Sequence, residues 1–222
     1  MISKKGQETR VRILDTAQVL ILERGFSGAS IDNVIERLGM SKGAFFHHFN
    51  NKNDLADELI QRYADLNTGF FNACLAKSEK LSHDPLQQVL ILIGLYEDLF
   101  DNLEAPHPGC LLASYIHEQQ MFGDRINEII HRVFQRWREA LVKKLNGVME
   151  KYSPACGVDI PSLADEFIVI LQGAFILSKS LKDPGIVAQQ LHHYKQYVEL
   201  IFSLPPKLTD MIRTDNRHAR SL

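Results

Sequence analysis

The segment Leu38-Gly39-Met40-Ser41 constrains this chain more than any other. It separates two stretches of helical pattern, each too short to be stable alone. The first opens near Ser30, a residue type that caps helices well, and stops before Gly39. The second runs from Ser41 to about His48. A tight turn between two helices needs a residue that accepts positive φ, and Gly39 supplies it. The pair reads as a helix-turn-helix. Phe45 and Phe49 lie four apart, share one face of the second helix, and should anchor it to a preceding helix. Lys42, Gly43, Ala44 and His47 fall on its outer side, where the two small residues let the backbone approach a nucleic-acid groove closely.

The remaining pattern is also helical, with Pro and Gly at segment ends and no convincing period-two strand. A first helix spans about Thr9 to Arg24, with Ile13, Ala17 and Leu20 as its apolar stripe and Gly25 closing it. Asn51 can cap a fourth helix. Asp84-Pro85 opens a fifth, reaching about Leu103, as a cap followed by proline at the first helical position. Glu104–Gly109 reads as a loop, with a short helix from Cys110 after it. A long helix runs from Asp124 to about Tyr152, Ser153–Pro161 is a break, and two helices follow at Ser162–Leu181 and Pro184–Leu204. The expected fold is all-α, with about nine helices. A helix-turn-helix head is expected at 1–56 and a larger helical body at 57–205. A flexible basic tail carrying Arg213, Arg217 and Arg220 is expected at 206–222.

Composition excludes several classes. The 222 residues are 45% hydrophobic and 23% charged, as in a water-soluble globular chain. No uninterrupted apolar run reaches the roughly 18 residues of a membrane span. Met1–Arg10 is polar and lacks the apolar core of a secretory signal, so no membrane partner and a cytoplasmic location are expected. Cys74, Cys110 and Cys156 are odd in number and far apart, which argues against a disulfide framework and a zinc site; no metal and no cofactor are expected. His117-Glu118-Gln119-Gln120-Met121 lacks the second histidine of a zinc-protease helix, and no Gly-rich phosphate loop or Gly-x-Ser-x-Gly elbow occurs. His192 and His193 are adjacent, so on a helix they diverge by about 100°. An enzyme is not expected. The net charge of −2 says nothing of nucleic acid, but its distribution does: residues 1–52 hold eight Lys or Arg against five Asp or Glu, and the remainder 17 against 22. A mildly basic head on an acidic body suits phosphate binding. The rival reading is a helical protein-interaction module without DNA binding. It accounts for the long apolar helices but not for the recognition-helix pattern.

That pattern resembles the head of the TetR (tetracycline-repressor) family. The similarity lies in the Ile-Leu-x-x-Ala helix, in Gly25-Phe26, in an Ile-rich second helix, in Gly39 through Phe49, and in Lys52 with Leu55. It is similar to the branch whose third helix reads Lys-Gly-Ser-Phe-Tyr-x-His-Phe. The close match covers about a fifth of the chain; Gly109-Cys110-Leu111 and Gln172-Gly173-Ala174 resemble the family's body more loosely. Two positions depart from the family pattern. Phe46 replaces a tyrosine whose hydroxyl would meet phosphate, and Ile35 replaces a smaller alanine.

The resemblance implies a dimeric regulator, most naturally a repressor, that binds a palindromic double-stranded DNA operator and releases it when a small-molecule effector binds. Lys42, Gly43 and Ala44 would meet base edges. His47, His48 and Lys52 would hold phosphates, with Phe46 beside them and the capping hydroxyls of Ser30 and Ser41 adding contacts. Two amphipathic stripes mark the last helices: Leu163, Phe167, Ile170 and Ala174, then Val187, Leu191, Tyr194, Val198 and Ile201. Part of each must be core within the subunit. The resemblance implies that Phe167, Gly173, Ala174, Leu191, Tyr194, Val198 and Ile201 pair across a two-fold axis as a homodimer. Candidate pocket walls are Phe71, Tyr96, Phe100, Cys110, Tyr115, Phe134, Trp137 and Phe175, with Gln172 or Arg138 as polar contacts. Cys110, at the predicted start of a helix, is also a candidate redox or electrophile sensor. Resemblance supplies Lys179 as its cationic partner.

Overall fold

A computed structural model describes residues 4–203, and among these residues every regular element is helical. The expected tail at 206–222 lies outside the described residues. In chain order the helices are α1 (Lys4–Gly28), α2 (Ile31–Leu38), α3 (Lys42–Phe46), α4 (Lys52–Leu81), α5 (Pro85–Phe100), α6 (Leu111–His117), α7 (Asp124–Lys151), α8 (Ile160–Leu181) and α9 (Ile186–Ser203), with one 3-10 turn at Gln119–Met121.

Local chemistry sets most helix ends. Ser30 accepts from the Asn33 N–H while the Asn33 side chain accepts from the Ser30 N–H, a reciprocal capping box. The Asn51 side chain accepts from the Asp54 N–H at 2.9 Å. Asp84 accepts from the Gln87 N–H at 2.9 Å, and also from Lys151 and the Tyr152 hydroxyl, which hold its carboxyl well below the usual range. α1 runs four residues past its expected end because the helix resumes beyond a kink at Gly25, whose φ of 75° and ψ of 168° suit only glycine. Asp183-Pro184-Gly185 forms a turn, and α9 begins after it at Ile186 rather than at Pro184.

The chain divides into two compact units. The first holds the described residues to Phe70 together with Pro108–Gln135. α1 packs there against α2 and α6 around Ile13, Ala17, Leu20, Phe45, Phe49, Leu59, Leu111 and Tyr115. The second holds Phe71–His107 and the described residues from Arg136 onward. α9 packs there against α5 and α8 around Leu92, Ile93, Tyr96, Phe167, Leu191 and Val198. The boundaries of these units fall inside α4 and α7.

α8 is long and apolar enough, by length and composition, to cross a membrane. Its apolar run is interrupted in the sequence by Asp165 and Glu166, in keeping with the expectation that no uninterrupted run is long enough. One face of α8 is buried, through Leu163, Phe167, Leu171, Ala174 and Phe175. A second apolar face, Val169, Ile176, Leu177 and Leu181, is exposed.

Candidate nucleic-acid interface

The turn between α2 and α3 has the expected form. Gly39 is left-handed (φ 61°, ψ 33°), and its N–H bonds back to α2 carbonyls. Ser41 caps α3 by accepting from the Ala44 N–H at 3.2 Å. Phe45 is fully buried and Phe49 nearly so, their ring centroids 5.9 Å apart. The Arg10 guanidinium lies 4.3 Å from the Phe49 ring centroid, donates to the His48 carbonyl, and pairs with Glu58. Arg10 of α1, paired with Glu58 of α4, thus holds the inner side of the chain just after α3.

The outer side is open. Ser41, Lys42, Gly43, Ala44, Phe46 and His47 are all exposed, and His48 is half-buried. A methyl group built on Gly43 would meet nothing within 4 Å. Lys42 pairs with Asp32 on α2 at 2.9 Å, with both side chains 69% exposed, so the ammonium can exchange this partner for a nucleic-acid acceptor at small cost. The Ser30 and Ser41 hydroxyls accept from backbone and keep their own protons to donate. Burial, His47 and Arg10 together push the His48 imidazole down from its usual pKa.

Lys52 sits differently. Its ammonium donates to the Phe26 carbonyl and lies 4.1 Å from the Phe26 ring centroid. Burial lowers its pKa, with Glu118 opposing the shift. This lysine braces the head instead of facing outward. A cation in the first turn of α4 opposes the helix dipole, and the Phe26 carbonyl offsets that cost locally.

The other candidate sites regroup. Of the seven residues named for the dimer face, Phe167, Ala174, Leu191, Tyr194, Val198 and Ile201 are buried within the subunit, and only Gly173 is exposed. Tyr194 donates to the Leu163 carbonyl at 2.7 Å, joining α9 to α8. The exposed apolar positions sit beside them, at Val169, Ile176, Leu177 and Leu181 on α8 and Tyr197 and Leu200 on α9.

The candidate pocket residues fall in both units. In the second, Phe71 stacks on Trp137 at 5.3 Å, Tyr96 meets Trp137 edge-on at 6.2 Å and Phe167 at 5.1 Å, and Phe100, His107 and Phe175 form a second aromatic group. The Gln172 Nε2 there is buried without a hydrogen-bond acceptor. Arg138 instead pairs with Asp165 at 2.9 Å, half-exposed, and is no pocket residue in this arrangement. Cys110, Tyr115 and the half-buried Phe134 belong to the first unit, where Tyr115 stacks on Phe122 at 4.5 Å.

Cys110 is the N-cap residue of α6, makes no side-chain capping bond, and is 9% exposed. Lys179 is exposed on α8. Cys156 is exposed and Cys74 buried. Brief treatment of the native protein with iodoacetamide should label Cys156 first, leaving Cys74 and Cys110 unlabelled until denaturant is added. Peptide mass mapping reads this order, and early labelling of Cys110 would instead give it the access a sensor needs.

Sequence reasoning passed over Glu118, which accepts from the Phe26 and Ser27 N–H groups. It read that stretch only as a failed zinc motif. Nothing local in the sequence joins residues so far apart.

Two family models match the chain. Residues 13–59 match the bacterial regulatory proteins of the tetR family, and residues 85–194 match the tetracyclin repressor-like C-terminal domain. The chain belongs to the TetR family. It is a DNA-binding transcriptional regulator with a helix-turn-helix head, and not an enzyme. Among TetR-like relatives, the regulator YxaF of Bacillus subtilis is 26% identical over 192 residues, covering 83% of this chain and 93% of its own. The transcriptional repressor DhaR of Mycobacterium sp. strain GP1 is 23% identical over 170 residues, covering 77% and 82%. A TetR regulator from Chloroflexus aurantiacus shares the fold with a TM-score of 0.72 at 22% identity, covering 90% of this chain and 98% of its own.

Proposed function

We propose that this regulator is a cytoplasmic repressor that binds a near-palindromic duplex as a homodimer and releases it when a small molecule occupies the second unit. The observation that carries the DNA reading is the two-sided character of α3: Phe45 and Phe49 inside, Lys42, Gly43, Ala44 and His47 outside, with open space over Gly43. In the major groove, Lys42 and the Gly43-Ala44 surface meet base edges, while His47, His48, Ser30 and Ser41 hold phosphates. Lys52 acts from within, by fixing Phe26.

The dimer face is the exposed stripe of α8 and α9. Val169, Gly173, Ile176, Leu177 and Leu181 repeat at helical spacing, as do His193, Tyr197 and Leu200. Gly173 lets two backbones cross closely. The two-fold axis presents two α3 helices to half-sites about 34–36 Å apart.

The effector is uncharged and largely apolar. Among the described residues no Asp, Glu, Lys, Arg or His is buried, so a charged ligand in this core would lack a counter-ion. The Gln172 amide offers a donor, and the Phe71–Trp137 stack offers a surface for a flat ligand. Trp137 is the single tryptophan, so its fluorescence reports occupancy.

The test begins with duplexes selected from a random-sequence library by the wild-type protein. Anisotropy titrations should show tight, salt-dependent binding. Lys42→Ala should relax base preference by about 1–3 kcal/mol, and His47→Ala should weaken all duplexes alike and shallow the log–log salt slope by less than one unit. A folded Lys42→Ala/His47→Ala protein that binds as wild type would overturn the placement. No enrichment from the library would favour the protein-interaction reading.

A further inference from the structure

The kink at Gly25 creates a problem that Glu118 solves. Because α1 breaks there, Phe26 and Ser27 begin a new helical turn, and their N–H groups lack intrahelical acceptors. The Glu118 carboxylate, just past the end of α6, takes both: Phe26 N–H donates to Oε1 at 2.6 Å and Ser27 N–H to Oε2 at 2.9 Å. The Ser27 hydroxyl donates to Oε2 as well. Phe26 is held on its other sides too. Lys52 takes its carbonyl and covers its ring, and the ring packs edge-on against Phe122 at 4.6 Å and tilts over Tyr115 at 5.8 Å. At Gly25 an added Cβ would lie 2.8 Å from Glu118 Oε1, so the carboxylate sits against bare backbone.

Two residues after Ser27, the Ala29 N–H bonds back to Gly25 and Phe26, and Ser30 then caps α2. The direction of α2, and of α3 beyond Gly39, is thus set at the turn Glu118 holds. We propose that Glu118 is a positioning residue for operator binding: by capping Phe26 and Ser27 it fixes the angle at which α2 and α3 leave α1. This rests on the DNA-binding reading above and adds a residue that touches no DNA. Burial works against the charged carboxylate, but the bonds from Ser27 and Phe26 and the Lys52 charge outweigh it, so Glu118 stays ionised at neutral pH. A charged acceptor bound this way makes stronger bonds than a neutral one, which separates glutamate from glutamine here.

The experiment uses full-length protein, the duplex selected by the wild type, and a scrambled duplex of equal length. Anisotropy at 25 °C gives both affinities, and circular dichroism melts give stability. Glu118→Ala should weaken the selected duplex about tenfold or more while changing the scrambled duplex less than about twofold, and Glu118→Gln should fall between. Asp84→Ala, which removes a capping carboxylate from the second unit, serves as the stability control. It should lower the melting temperature and leave both affinities unchanged at 25 °C. Wild-type affinity in both Glu118 variants, or equal losses on both duplexes, would overturn the positioning role. A wild type that selects no duplex would overturn the DNA-binding reading itself, which is a separate result.

Discussion

Replacing Phe45 by alanine should destabilise the first unit by about 3–5 kcal/mol, the cost of emptying a well-packed aromatic site, and should strongly weaken operator binding. The ring is fully buried. It carries a helix of five residues, Lys42–Phe46, too short to persist without tertiary support. That support consists of Phe45 and Phe49, the Ser41 cap, and Arg10 over Phe49. Removing the central ring leaves a cavity between α3 and its neighbours, and collapse of α3 into it would draw Lys42, Gly43 and His47 out of register. Selected-duplex affinity should therefore fall by about a hundredfold or more, because base contacts worth about 1–3 kcal/mol each fail together. Denaturant melts and anisotropy on the same samples check both. Phe46→Ala is the internal comparison: that ring is 46% exposed, and its loss should cost within about 0.5 kcal/mol. Equal effects at the two positions would mean that α3 is not held from its inner side.

What the sequence reveals follows from the range of each interaction. Ser30, Gly39, Ser41, Asn51 and Asp84 act on N–H and C=O groups within a few residues, so their roles as caps and turns are legible in order along the chain. The inward side of α3 is legible for the same reason, because Phe45 and Phe49 are one turn apart. Long-range chemistry is not. Glu118 meets Ser27 from 91 residues away, and Lys52 meets Phe26 from 26 away; no periodicity connects either pair. The proposed dimer face shows a different difficulty. α8 and α9 each carry two apolar stripes, and the more regular ones, through Phe167 and Leu191, are consumed inside the subunit. Regularity marks burial but not the partner that provides it. The choice between stripes needs the packing of α9 on α5 and α8, which only the fold supplies.

That choice is testable at Ile176 and Leu200. The two side chains are 66% and 58% exposed, on α8 and α9 respectively, and lie on the stripes that the proposed two-fold axis would cover. Covering an aliphatic side chain contributes about 1.5–3 kcal/mol, and a two-fold axis counts each residue twice. Placing glutamate at both positions removes this contribution and forces charges without partners into the interface, where each costs several kcal/mol. Ile176→Glu/Leu200→Glu should therefore sediment as a monomer at micromolar concentration while the wild type sediments as a dimer. Its fold should survive, because the residues that join α8 to α9, Phe167, Leu191, Tyr194 and Val198, are untouched. With one head per molecule the second half-site no longer binds intramolecularly, and selected-duplex affinity should fall by a factor of about 10² to 10⁴. Scrambled-duplex binding, which depends mainly on phosphate contacts, should fall far less. Leu66→Glu controls for charge: Leu66 is 60% exposed on α4, off the two stripes, and its replacement should leave the dimer intact. A double variant that remains dimeric would move the interface off α8 and α9. A monomer that keeps full selected-duplex affinity would separate operator binding from dimerisation altogether.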